Sequence, residues 1–76
     1  MKKLSNIEAL IEEEGHILVG HLEPAGQVGI AYSQHGTLAM LRRRQGEAVT
    51  HLLERLNHAI EVAVLSNERV DEVNSN

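Results

Sequence analysis

Residues 28 to 64 read as strand, tight turn, strand and amphipathic helix in unbroken succession, VGIAYSQHGTLAMLRRRQGEAVTHLLERLNHAIEVAV. So little linker leaves few folds open: a β-hairpin with a helix returned onto it. Val28, Ile30 and Tyr32 alternate with Gly29, Ala31 and Ser33; Leu38, Met40 and Arg42 alternate with Ala39, Leu41 and Arg43. Period-two alternation of β-branched, aromatic and small residues is the mark of a strand. Gln34-His35-Gly36 separates the runs. A three-residue hairpin loop takes glycine last, where the backbone turns left-handed. That register sets Ser33 opposite Thr37, Tyr32 opposite Leu38 and Ile30 opposite Met40. The larger apolar residues then share one face, and Gly29, Ala31 and Ala39 share the other.

The helix is marked by Val49, Leu52, Leu53, Leu56, Ala59, Ile60, Ala63 and Val64, at spacings of three and four, which gives one apolar stripe. Gly46 is the expected N-cap, Glu47 places negative charge at the positive end of the dipole, and Ser66-Asn67 is the expected stop. Val62 and Leu65 widen the stripe near its end, which makes them a candidate self-association surface. Upstream, Ser5 or Asn6 caps a short helix carrying Ile7, Leu10 and Ile11, and Gly15 ends it. His16 to Leu22 reads as a strand, and Glu23-Pro24-Ala25-Gly26 fits a type I turn. The expected fold is α+β in the order α-β-β-β-α: a short N-terminal helix, a three-stranded antiparallel meander, and a long amphipathic helix on one face. Residues 1–76 form a single domain, with 67–76 a polar tail, partly disordered, in which Val70 and Val73 can dock.

A chain of 76 residues with no cysteine, one tyrosine and no other aromatic must stabilise a small aliphatic core without disulfide or thiolate metal site. This favours a second subunit. The net charge of −4 is opposite to the basic field of most nucleic-acid binders. There is no membrane-spanning run and no secretory signal, so a cytoplasmic location is expected.

Three constellations invite a chemical role. His51, Glu54 and His58 lie on adjoining turns of one helix face, but no HExxH motif accompanies them, so a solvated face is expected and no metal or other cofactor. Arg42-Arg43-Arg44, just before a helix, is the candidate anion or nucleic-acid contact; any nucleic-acid binding would be weak. The same arginines could also relieve Glu12-Glu13-Glu14, which sits against the dipole at the end of the first helix. Ser33 and His35 share a hairpin tip with nothing to exclude water, so turn chemistry is expected there and no catalytic site.

Residues 38 to 74 resemble a group of small uncharacterised proteins of proteobacteria, their phages and other mobile elements. The shared features are LAMLRR, Gly46-Glu47, then Leu52, Leu53, Arg55, Leu56, Ala59 and Ile60, and the closing Asp71-Glu72-Val73-Asn74. Gln45 stands where that group commonly has proline and Asn57 where it has aspartate. The resemblance implies a mobile-element accessory protein and brings no activity with it. In element order the chain is also similar to double-stranded-RNA-binding domains, but Gly46-Glu47-Ala48 stands where those carry lysines. The hairpin-then-helix layout is similar to the sheet domain of some small antitoxins. The expectation is a small non-catalytic protein that binds itself, as a homodimer or larger, and an unidentified protein partner. The alternative is a nucleic-acid-binding, antitoxin-like regulator using Arg42 to Arg44.

Overall fold

The computed structural model describes residues 3–74. Two helices, α1 (Ser5–Glu12) and α2 (Val49–Ser66), cover one face of a sheet built from β1 (His16–Leu22), β2 (Gly26–Ser33), β3 (Gly36–Arg42) and β4 (Val70–Asp71). The expected α-β-β-β-α order holds, and the first three strands form an antiparallel meander. The tail adds a two-residue fourth strand, parallel to β3, with Ala39 beside Val70 and Met40 beside Asp71. Val70 thus docks at the sheet edge, while Ser75 and Asn76 lie outside the described residues.

The long helix lies on the face of small residues. Gly29, Ala31, Ala39 and Leu41 are buried beneath it with Leu52, Leu56, Ala59 and Ile60. A Cβ on Gly29 would stand 3.4 Å from Leu52 Cγ, an ordinary van der Waals distance, so Leu52 of α2 packs directly over this position. Alternation puts Val28 and Ile30 on the opposite face. There Ile30 is flanked in register by Leu18 and Met40, and Val28 by Gly20 and Arg42. Among the described residues α1 and α2 lie on the other side, yet Val28 and Ile30 are fully buried within this face.

At the hairpin tip the structure corrects the predicted register. Ile30 does face Met40, but Tyr32 pairs with Thr37 and Ser33 with Gly36, leaving Gln34-His35 as a two-residue turn. The register shifts between Ala31 and Tyr32, with Leu38 as the additional residue on β3. A bulge re-aims a side chain. Leu38 leaves the face of Ile30 and Met40 and packs against the helix-side core. Ser33 Oγ holds the turn, accepting from His35 N at 3.1 Å and donating to Gly36 O at 3.1 Å. At the next turn β1 passes into β2 through Glu23-Pro24-Ala25, with Leu22 paired to Gly26, and the Glu23–Pro24 peptide is cis.

The helix ends also depart from expectation. Neither Ser5 nor Asn6 caps α1; Leu4 stands at that position without a side-chain cap. Asn57 of α2 supplies the cap instead, its Oδ1 accepting from Asn6 N at 2.8 Å and Ile7 N at 2.9 Å. At the other end Glu14 takes the left-handed conformation (φ 67°). Gly15 then satisfies Leu10 O at 2.8 Å, and it fits where a Cβ would meet Leu10 and Tyr32 O at 2.6 Å. The N-cap of α2 is Ala48, not Gly46, which is drawn into the preceding turn. Asn67, left-handed at φ 58°, closes the helix where the sequence predicts.

Candidate functional site

Glu47 is the one buried charged residue among those described, and a network is built around it. Arg55 reaches back two helical turns and grips its carboxylate with both sides of the guanidinium, Nε to Oε2 at 2.7 Å and Nη2 to Oε1 at 2.9 Å. His51, one turn along, approaches Oε2 with Nδ1 at 2.6 Å, and Arg44 N donates to Oε1 at 2.9 Å. The same Arg55 extends Nη1 to Glu72 at 3.2 Å and Nη2 to Arg42 O at 2.7 Å. Asp71 Oδ1 then closes the tail into a turn by accepting from Val73 N and Asn74 N. Three separated stretches of sequence, Gly46-Glu47, Arg55 and Asp71–Asn74, are thereby tied together.

The electrostatics follow from these bonds. The Arg55 guanidinium pulls the Glu47 carboxyl down to about 2 against the opposing effect of burial, with Arg44 N and His51 adding to the pull. Arg55 is in turn held above its ordinary value by Glu47, against burial, with further support from Glu72. Asp71 is lowered, mainly by the Asn74 backbone N–H. A carboxylate so saturated with donors does not accept a proton near neutrality. The cluster is a clasp joining the loop after β3, the helix α2 and the β4 segment.

The clasp accounts for much of the arginine run. Arg43 donates from Nε to Glu47 O at 2.7 Å and from Nη1 to Gln27 Oε1 at 2.6 Å. Arg42 donates its backbone N–H to Glu72 Oε1 at 3.2 Å, and its Nη2 donates to Val73 O at 3.4 Å. Arg44 is exposed. Arg43 and Arg44 line one open groove with Gln27, Gln45 and Gly46, while Arg42 turns toward Val73, so the structure does not bring all three arginines together. The ion pairs of Arg55 go to Glu47 and Glu72, and the described ion pairs do not include Glu12, Glu13 or Glu14. Among the described residues no group of three or more His, Asp or Glu side chains is placed to hold a metal ion; His51 is turned toward Glu47 instead.

Val62 and Leu65, the candidate self-association pair, are 40% and 80% exposed but flank different grooves. Val62 borders a groove of about 380 Å³ with Leu41, His58 and Val70. Leu65 lines a larger groove of about 550 Å³ where α1, the hairpin tip and the end of α2 converge. Leu10, Leu38, Ile60 and Val64 give that groove an apolar lining, and Glu13 and Glu61 add acid to it. Val49 and Val64, assigned by spacing to the buried stripe, are 43% and 63% exposed at the two ends of α2; the sheet supports only the middle of the helix.

The second concentration of exposed aliphatic groups is β1. Leu18, Val19 and Leu22 are each more than a third exposed, and every β1 residue is exposed or half-buried. The antiparallel meander expected from the sequence puts this first strand at an edge of the sheet, and the structure places it there; what the sequence does not mark is how exposed its aliphatic side chains are left. The role of Glu47 also went unforeseen, although its spacing to His51 and Arg55, four and eight residues on, lines one helix face. Compared with family models, curated proteins and solved structures, the chain matches none. No helix among the described residues is long and apolar enough to cross a membrane.

Proposed function

We propose that this is a non-catalytic binding protein that works through protein–protein contact, with a second copy of itself as its first partner. The observation that carries this is the distribution of exposed aliphatic side chains. After the core has closed, most of them lie on β1 (Leu18, Val19, Leu22) and toward the end of α2 (Val62, Val64, Leu65), with Ile11 and Val49 standing apart. Clustered apolar surface of this kind favours association, whereas the same residues scattered singly would not. A small core without disulfides gains stability from the same step, because binding of the folded state alone shifts the folding equilibrium.

The polar groups support the same reading from the other side. The buried acid is saturated by donors, and the guanidinium groups of Arg42 and Arg43 are engaged within the chain. Phosphate binding would have to displace these bonds or rely on Arg44. The test is sedimentation equilibrium from low to high micromolar concentration, together with melts across the same range. A reversible dimer or larger species whose melting temperature rises with concentration is expected. A monomer throughout, with a melting temperature independent of concentration, rejects the proposal.

A further inference from the structure

We infer that two copies of this chain pair edge to edge through β1, antiparallel about a two-fold axis at Val19, joining their sheets into one. The inference rests on the self-association proposed above and names its surface. It places the contact on the strand edge and not on Val62 and Leu65.

The two edges of the sheet are built differently. Strand order puts β4 at one edge and β1 at the other. The β4 edge is two residues long, carries Asp71, and leads directly into the clasp of Glu72 and Arg55. Short, charged edges resist pairing with another chain. β1 has none of these protections. It runs seven residues, His16–Leu22, with no proline, lysine, arginine or acid, and all seven pair regularly with β2 without a bulge. Its outer side therefore presents backbone N–H and C=O groups as a template for another strand.

The choice of a second copy follows from the symmetry of the strand. An antiparallel pair has two-fold axes through its facing residue pairs, so a strand can meet its own copy with each contact made twice. Val19 is the middle residue of His16–Leu22, and pairing there overlaps the whole strand. Val19 then faces its counterpart, Leu18 faces Gly20, and Leu22 faces His16. The exposed aliphatics lie on both faces of the strand, Val19 with Gly29 on the helix side and Leu18 with Ile30 on the other. A neighbouring strand covers both sets at once, which a partner laid on either face would not. No like charges are opposed within the overlap; the nearest acids, Glu14 and Glu23, lie beyond its ends, and Glu23 is held by His21 at 2.6 Å.

The absence of cysteine makes single-cysteine variants a direct test. Val19→Cys places two thiols opposite each other on the axis, within reach of a disulfide. Oxidation is expected to convert it to a covalent dimer, while Val62→Cys and Leu65→Cys under the same conditions remain uncrosslinked. Val19→Lys opposes two positive charges at the axis and is expected to weaken dimerisation by at least about tenfold, with the circular dichroism spectrum of the folded chain retained. Hydrogen exchange on the unmodified protein provides a check independent of substitution: β1 amides should gain protection with concentration and α2 amides should not. A wild-type dimer that crosslinks at position 65 and not at 19, is unaffected by Val19→Lys, and shows no concentration-dependent protection in β1 overturns this inference while leaving self-association intact. A wild type that is monomeric throughout overturns both.

Discussion

Replacing Asn57 by alanine removes the side-chain cap on α1 seen among the described residues, and that cap comes from another helix. The expected cost is about 0.5 to 2 kcal/mol, read from urea melts. Asn57→Asp keeps the acceptor and adds charge at the positive end of the α1 dipole, so it should be neutral or stabilising. Glu47 carries the main pH dependence. Its folded pKa of about 2 lies below the ordinary 4.5. The unfolded chain therefore takes up the proton first as pH falls. Stability from Glu47 is complete above about 4.5, declines as acid is added, and is gone once pH passes below about 2. Glu47→Gln should be destabilised at pH 7, with a gap to wild type that narrows as pH drops through this window. A constant gap in melts from pH 7 to 2 would show that the carboxylate charge is not what holds the clasp.

At the scale of elements, α2 depends on its middle. Leu56 is fully buried over the small-residue face, and Leu56→Ala should cost about 2 to 5 kcal/mol. Glu61→Ala, at an exposed site on the same helix, should stay within roughly 0.5 kcal/mol. Equal shifts in urea midpoint would show that the buried face is misassigned. The order of elements, the span of β1 and the stop at Asn67 were legible because period-two and period-3.6 patterns are local properties of the chain. The hairpin tip was not, because one bulged residue, Leu38, is selected by the core it enters. The capping of α1 was not legible because the acceptor lies about fifty residues away. Glu47 looks like a dipole residue because its partners Arg55 and His51 meet it only after the chain has folded.

For the whole molecule, the distribution of size across the sheet matters most. The face beneath α2 carries Gly29, Ala31 and Ala39 with Leu41, while Ile30, Met40 and Leu18 lie on the other face. A chain this small therefore completes its core on one side and leaves a long strand bare at one rim. If β1 is that rim's contact, Leu18→Lys should also lower the midpoint more in concentrated than in dilute samples, by removing a stabilisation that only the associated state has. An equal drop at all concentrations would place the effect within the monomer.

The cap that Asn57 lends to α1 also bears on the order in which the fold is acquired. A helix of eight residues is too short to persist in water without support. Its first free amides find their acceptor on α2, and its buried Ile7 and Leu10 find their neighbours in the core. The Asn57 acceptor and the α2 part of that core are in place only once α2 has settled on the sheet. The cap and part of the packing of α1 thus wait on the later-synthesised helix, and α1 is completed as α2 docks.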